Sequence, residues 1–226
     1  MVFEDQSLTF AELNAGANRL APHLISLGIG PDDRVAIAVE RSLEMVVGLL
    51  AILKAGGAYV PLDPDSPQDR LAFMLEDSAP LALLVHKVTR QRLAALAGAV
   101  PMIDLDADAA AWAEQSAANS NPLGLGLMSN GLAYVICTST SGSTGTPKGV
   151  MVEHRGVAAR CLEYRSLLSL TTADRVLLKA EPSFDASVEQ LFPVLLVGGR
   201  VVLTKFEMEP ISFSHQIKAQ IGRAHV

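Results

Sequence analysis

The stretch CTSTSGSTGTPKGV, residues 137–150, decides how this chain is interpreted. Seven of the nine residues from Thr138 to Thr146 carry a hydroxyl group, and Lys148 follows shortly after them. Such a composition is typical either of a flexible linker or of a loop that binds an anion. The flanking sequence distinguishes the two, because a linker lies between polar segments whereas a binding loop is held by folded elements.

Apolar segments lie on both sides of this loop. LAYVIC (132–137) and GVMV (149–152) have the pattern of buried strands, so both ends of the loop are held in a sheet. Glycines within the run allow tight turns that present backbone N–H groups, and the hydroxyls and the Lys148 ammonium add further donors. The loop is not a Walker A motif, because Pro147 and Gly149 flank the lysine. A polyphosphate grip is favoured, and a plain surface turn remains the alternative.

Composition restricts the class of protein. The 226 residues are 50% hydrophobic, which supports a sizeable core and excludes a disordered chain. A net charge of −6 without a basic cluster argues against nucleic-acid binding. The longest apolar run, residues 45–53, is far shorter than the ~20 residues of a membrane helix, so no membrane partner is expected. Two cysteines and no signal peptide indicate a reducing, cytoplasmic location.

Hydrophobic periodicity predicts alternating strands and helices. Thr9 and Glu12 have capping-box spacing, and Ser42 and Ser66 are placed to begin two further helices. Residues 107–124 are rich in Ala, Ser and Asn, which predicts a weak helix followed by a loop. This stretch is also the best candidate for a boundary between subdomains. We therefore predict an α/β fold, with partly parallel β-sheets flanked by helices.

Four segments resemble one known family. TSGSTGTPKG resembles the phosphate-binding signature of the adenylate-forming (AMP-binding) enzyme superfamily. LTFAEL, LKAGGAYVPLDP, the loop with its preceding strand, and FDAS resemble, in that order, the first core motifs of the adenylation domains of nonribosomal peptide synthetases. The resemblance covers nearly the whole chain and implies the first part of the large N-terminal domain of these enzymes.

This resemblance implies a substrate, cofactors and partner domains. Members join an amino acid to ATP, giving aminoacyl-AMP and pyrophosphate, and pass the aminoacyl group to phosphopantetheine on a carrier domain. The motif match implies a set of residues that bind the β- and γ-phosphates of ATP: Thr140, Ser141, Gly142, Ser143, Thr144 and Lys148. Mg²⁺, a peptidyl carrier domain and a condensation domain are the other implied components.

The motif FDAS supplies the implied substrate-binding residues. Asp185 matches the aspartate that pairs with the α-ammonium of the amino acid, whereas its alternative role is to cap the helix that follows. Ala186 and Glu189 match side-chain pocket positions. Glu189 would suit a basic or polar substrate, and a merely solvated glutamate is the alternative.

The resemblance also implies what residues 1–226 do not contain. The family's Mg²⁺-binding carboxylate, its ribose-binding aspartate and a C-terminal subdomain with a catalytic lysine are expected beyond residue 226, so the chain is interpreted as an incomplete AMP-binding domain without catalytic residues. The five histidines have no metal-ligand spacing, so no metal site is predicted. Two alternatives stay open, namely a fragment of an acyl- or aryl-CoA ligase and an inactive remnant. The isolated chain is expected to be inactive.

Overall fold

The computed structural model describes residues 1–138 and 148–204, and it describes residues 122, 123, 138 and 148 by their backbone alone. The strands are β1 (Val2–Phe3), β2 (Gln6–Ser7), β3 (Arg34–Ala38), β4 (Ala58–Pro61), β5 (Ala82–Val85), β6 (Met102–Asp104), β7 (Leu132–Thr138), β8 (Lys148–Glu153), β9 (Arg175–Leu178) and β10 (Arg200–Leu203). The α-helices are α1 (Phe10–Ser26), α2 (Leu43–Ala55), α3 (Gln68–Ser78), α4 (Lys87–Ala97), α5 (His154–Leu167) and α6 (Ala186–Leu196).

The strands form two sheets rather than one. The larger sheet has the order β6-β5-β3-β4-β7-β8, and all its strands are parallel except β8, which runs antiparallel to β7. The smaller sheet has the order β2-β1-β10-β9, with β1, β10 and β9 parallel. The α/β class with largely parallel sheets flanked by helices is confirmed. The central strands β3, β4 and β5 are almost wholly buried, as expected for strands covered on both faces.

Two of the three expected helix starts are confirmed. Thr9 and Glu12 form a reciprocal capping box at the start of α1. Ser42 accepts a hydrogen bond from the backbone N–H of Met45 at 3.0 Å and caps α2. The expectation for Ser66 was wrong, because α3 has Pro67 at its N-cap and makes no side-chain capping bond.

Residues 107–124 form two short 3₁₀ turns, Ala109–Ala111 and Pro122–Leu125, instead of the expected weak helix. Side-chain amides hold this stretch to α1. Asn18 donates to the carbonyl of Ala117 at 2.7 Å and to Oδ1 of Asn119 at 2.9 Å. Strands from both sides of the stretch belong to the larger sheet, since β4 pairs with β7.

The main core lies between the larger sheet and the helices α1 and α2. Its largest fully buried side chains include Leu20 and Leu24 of α1 and Met45 and Ile52 of α2. Burying one such side chain stabilises the fold by about 1.5–3 kcal/mol. Within the part of the chain that the structure describes, no helix combines the length and the apolar character needed to cross a bilayer.

Candidate functional site

The hydroxyl-rich loop leaves the larger sheet at the carboxyl end of β7 and returns as β8. Thr138 pairs with Lys148 across this antiparallel hairpin, which makes Lys148 the first residue of β8. The other residues that the motif match assigns to the ATP phosphates lie outside the described residues: Thr140, Ser141, Gly142, Ser143 and Thr144. The structure therefore describes where the loop begins and ends but not its phosphate-binding geometry.

β7 is a well-anchored support for the loop. Its residues 133–137 are buried, and the rings of Tyr134 and Tyr59 on β4 stack with their centroids 5.4 Å apart. The outer strand β8 is different, because Val150 and Met151 are both exposed. Open parallel sheets bind ligands at the carboxyl ends of their strands. The loop extends from such an end, which is compatible with an anion-binding role.

Asp185 lies immediately before α6 and is exposed. Its backbone is already helical, with φ −59° and ψ −30°, and its side chain makes no capping bond. The first turn of α6 is held instead by Ser187, whose hydroxyl donates to the carbonyl of Phe184 at 2.7 Å. The alternative role of Asp185 as a helix cap is therefore not fulfilled, and its side chain is exposed.

Arg41, which follows β3, holds the segment that leads to Asp185. Its side chain is only 7% exposed, and Nη2 lies 3.0 Å from Oε1 of Glu181. The guanidinium also donates hydrogen bonds to carbonyl oxygens of Leu178 at 2.6 Å, Lys179 at 2.9 Å, Ala180 at 3.1 Å and Thr204 at 3.3 Å. The carboxyl ends of β3, β9 and β10 thus meet at one arginine.

A second clamp comes from α6 itself. Oε1 of Gln190 accepts hydrogen bonds from the backbone N–H groups of Lys179 and Ala180, both at 2.9 Å. The segment between β9 and α6 is consequently tied both to the larger sheet and to the helix that follows it. Asp185 follows this doubly supported segment and lies immediately before the helix.

Glu189, one turn beyond Asp185, is engaged in an ion pair. Arg160 of α5 donates from Nε to Oε1 of Glu189 at 2.8 Å, and its Nη1 reaches Oε2 of Glu163 at 2.9 Å. The side chain of Glu189 is 20% exposed. Glu189 is therefore not merely solvated, and its charge is balanced within the protein. Ala186, the third predicted substrate-binding residue, is half-buried on the first turn of α6.

An apolar stripe on α6 lies on the same helix face as Asp185 and Glu189. Residues four, seven and eleven positions after Asp185 share one helix face, which places Glu189, Phe192 and Leu196 in line with it. Phe192 and Leu196 line a cavity of about 510 Å³ between α1, α2, α5 and α6. The other residues around this cavity are Phe10, Leu13, Asn14, Leu50, Leu53, Lys54, Tyr59, Ala133, Tyr134, His154, Val157, Ala158, Cys161 and Leu195.

Two titratable side chains that line the cavity, Tyr134 and Cys161, have shifted pKa values. Burial raises the pKa of Tyr134, and the carboxylates of Asp185 and Glu189 raise it further. Burial also raises the pKa of Cys161 to about 11, which keeps this thiol protonated and unsuited to nucleophilic chemistry at neutral pH.

Sequence reasoning did not find Arg41, Arg160 or Gln190 as part of the site. The partners of Arg41 and the Glu189 partner of Arg160 are distant in sequence, and those of Gln190 lie ten and eleven residues before it, so no helical spacing indicates these contacts. Within residues 1–138 and 148–204, no group of three or more His, Cys, Asp and Glu side chains could hold a metal ion.

Comparisons with known proteins identify the family of this chain. The model of the AMP-binding enzyme family matches residues 1–221. Tyrocidine synthase 3 of Brevibacillus parabrevis is 47% identical over 205 residues, which cover 91% of this chain and 3% of that protein. Bacitracin synthase 2 of Bacillus licheniformis is 40% identical over 226 residues, covering 100% of this chain and 8% of the relative. The chain therefore spans only a small part of these proteins.

Solved structures of related enzymes have the same fold as this chain. The nonribosomal peptide synthetase FmoA3 in its AMPPNP-bound form superposes with a TM-score of 0.85 at 33% identity, over 96% of this chain and 22% of that one. The N-terminal subdomain of Klebsiella oxytoca NpsA, in complex with 3-hydroxyanthranilyl-AMSN, has a TM-score of 0.81 at 27% identity, over 96% and 52% of the two chains. The chain belongs to the AMP-binding enzyme family and, within it, to the adenylation domains of nonribosomal peptide synthetases.

Proposed function

We propose that this chain provides the ATP-phosphate loop and the amino-group recognition site of an amino-acid-activating ligase. An oxygen of the substrate carboxylate attacks the α-phosphorus of ATP, the bond between the α- and β-phosphates breaks, and aminoacyl-AMP and pyrophosphate form. The thiol of phosphopantetheine then displaces AMP to give a thioester. The chain's contribution to the first step is positioning and charge stabilisation.

The availability of the Asp185 carboxylate is the observation that carries this proposal. It is exposed, makes no capping bond, and stands on a segment held by Arg41 and Gln190. An ammonium group is its natural partner, because a carboxylate that a bound substrate covers is costly unless a cation pairs with it. A fatty or aryl acid would offer no such cation. Asp185 therefore favours an amino acid over the substrates of acyl- or aryl-CoA ligases.

The remaining site residues have supporting roles in this proposal. Thr140, Ser141, Gly142, Ser143, Thr144 and Lys148 would bind the β- and γ-phosphates, while Ala186 and Glu189 line the pocket for the substrate side chain. The AMPPNP-bound form of FmoA3 supports the use of ATP. Mg²⁺ would neutralise phosphate charge, and its protein ligands are expected outside residues 1–226.

We further propose that residues 1–226 are one incomplete AMP-binding domain of a cytoplasmic synthetase. A lysine-bearing C-terminal subdomain, a peptidyl carrier domain and a condensation domain would complete the working module. Residues 1–226 alone would not catalyse amino-acid-dependent exchange of pyrophosphate into ATP. The large size of the relatives supports this view, since the chain covers 3% and 8% of two of them.

The first test is ATP–pyrophosphate exchange in the complete adenylation domain that contains this chain, with each proteinogenic amino acid. We expect Asp185→Asn to lower kcat/KM for the preferred amino acid about 100-fold or more, because it removes one partner of a charge pair worth roughly 3 kcal/mol. The KM for ATP should change little. Asp69→Asn, at an exposed aspartate in the first turn of α3, is the matched control.

Two results would contradict the proposal. One is robust exchange that depends on a benzoic or fatty acid and is indifferent to Asp185→Asn, which would favour an acyl- or aryl-CoA ligase. The other is the absence of exchange with every acid in a folded, complete domain, which would favour an inactive remnant. Exchange by the 226-residue chain, abolished by Asp185→Ala, would contradict the proposed inactivity of that chain.

A further inference from the structure

Arg160 on α5 is the centre of a polar cluster beside α6. Its Nε and Nη2 atoms both lie 2.8 Å from Oε1 of Glu189, and its Nη1 donates to Glu163 at 2.9 Å. The guanidinium carbon also stands 4.8 Å from the centre of the Tyr164 ring. Arg160 is thus held by two carboxylates and an aromatic face, a geometry that fixes its planar group.

Glu189 also raises the pKa of the Tyr164 phenol, because a hydrogen bond to the carboxylate favours the protonated form. The guanidinium of Arg160 is the partner that contacts Glu189 directly. The charge of Glu189 is therefore paired before any substrate arrives, while its carboxylate can still accept further hydrogen bonds.

We infer that Arg160 determines the substrate class by neutralising Glu189, so that the pocket selects an amino acid with a neutral carboxamide side chain over one with a cationic side chain. This inference rests on the proposed function, in which Glu189 lines the side-chain pocket. The guanidinium would repel a substrate ammonium, because arginine cannot lose its proton. A carboxamide can instead accept from the remaining guanidinium N–H groups and donate to the carboxylate.

The expected size of this selectivity follows from the exposure of the pair. The side chain of Arg160 is 49% exposed and that of Glu189 is 20% exposed, so solvent screens their charges in part. Glu163 is 62% exposed and is screened more strongly, which leaves Glu189 as the carboxylate that the substrate meets. We expect a preference of about tenfold rather than several thousandfold.

The test compares glutamine with lysine in the complete adenylation domain that contains this chain. The unaltered domain should have a kcat/KM for glutamine at least about tenfold above that for lysine in ATP–pyrophosphate exchange. Arg160→Ala should raise the lysine-to-glutamine ratio about tenfold by freeing the Glu189 carboxylate. Arg160→Lys should retain the preference for glutamine because it keeps the cation.

Two further variants separate selectivity from a structural effect. Arg165→Ala removes an exposed arginine of the same helix and should leave the ratio unchanged. In a Glu189→Gln background, Arg160→Ala should no longer alter the ratio, because the carboxylate that it frees is gone. A general loss of folding would lower activity with both amino acids equally and would not move the ratio.

Failure of this inference is distinguishable from failure of the proposed function. Exchange that depends on Asp185 but whose lysine-to-glutamine ratio is unaffected by Arg160→Ala overturns the inference alone. A preference of the unaltered domain for lysine overturns it as well. The absence of exchange with any amino acid overturns both.

Discussion

At the residue scale, Arg41 does more to shape the candidate site than any residue that the motif match supplied. Its guanidinium collects carbonyl oxygens from the ends of β9 and β10 and the carboxylate of Glu181. Burial lowers the pKa of Arg41, but arginine stays charged because its ordinary value is so high. The buried charge is tolerated because oxygen atoms surround it.

Arg41→Met should therefore destabilise the chain strongly. The substitution keeps much of the side-chain volume but leaves several carbonyl oxygens and Glu181 without their donor, so we expect a loss of about 2–4 kcal/mol in the free energy of unfolding. Urea unfolding followed by circular dichroism measures this loss. Arg92→Met is the control, because its ion pair with Asp65 is exposed and worth at most about 1 kcal/mol. Equal losses in both variants would show that Arg41 is not a special support.

At the residue scale, the sequence did not show which carboxylates of the candidate site are paired with a cation. Motif matching indicated Asp185 and Glu189, but whether each carboxylate is free or paired depends on neighbours from distant segments. Glu189 meets Arg160, which lies on another helix, and Asp185 has no such partner among the described residues. A charge pattern along one helix cannot reveal a salt bridge between two helices.

At the scale of elements, helix starts could be predicted where the signal is local. Ser42 caps α2 as expected, with Gly56 in a left-handed conformation at the other end, φ 96°. Ser66 has the same residue type before a helix, yet its hydroxyl lies 3.3 Å from Oδ2 of Asp63 instead of capping α3. The turn from Asp63 to Ser66 competes with the cap, and Pro67 takes the N-cap position.

Alanine substitution at the two serines distinguishes these roles. Ser42→Ala should cost about 1 kcal/mol in the free energy of unfolding, because it removes the acceptor for the Met45 N–H. Ser66→Ala should cost less than about 0.5 kcal/mol, since only a long hydrogen bond in a half-buried turn is lost. Thermal unfolding followed by circular dichroism compares the two. A larger cost at Ser66 would contradict the assignment of the caps.

At the scale of the whole molecule, two sheets and the helices between them depend on contacts between distant parts of the chain. Val2 pairs with Val202 in the smaller sheet, so strands from opposite ends of the described chain lie side by side. The cavity beside α6 is formed by four helices and the larger sheet. His154, at the junction of β8 and α5, lines this cavity, and its environment reports on the packing of the whole molecule.

His154 should make the stability of the chain depend on pH. Burial lowers its pKa, although Asp32 opposes this effect, and its Nε2 atom is buried without a hydrogen-bond partner among the described residues. The folded-state pKa lies below the unfolded value of about 6.5, so the unfolded chain takes up the proton first as the pH falls. The stability that His154 contributes is complete above about pH 6.5 and is lost as the pH falls through the folded-state pKa.

The measurement is urea unfolding between about pH 5 and pH 8, comparing the unaltered chain with His154→Gln. The difference in unfolding free energy between the two should shrink as the pH falls below about 6.5, with a slope of at most about 1.4 kcal/mol per pH unit. Comparing variants cancels the contributions of the other titrating groups. A difference that stays constant over this range would show that His154 titrates alike in both states.

The sequence by itself determined the α/β class, the caps at Thr9 and Ser42, and the position of the hydroxyl-rich loop between two strands. Each of these depends on residues close together along the chain, where hydrophobic periodicity and turn chemistry act directly. The family was indicated separately, by the resemblance of four sequence motifs. Only the tertiary structure decided that the strands divide into two sheets, that residues 107–124 pack on α1 as 3₁₀ turns, that Arg41 clasps the segment before Asp185, and that Arg160 neutralises Glu189. These features depend on groups far apart in sequence, whose meeting is set by how the whole core packs rather than by any local pattern.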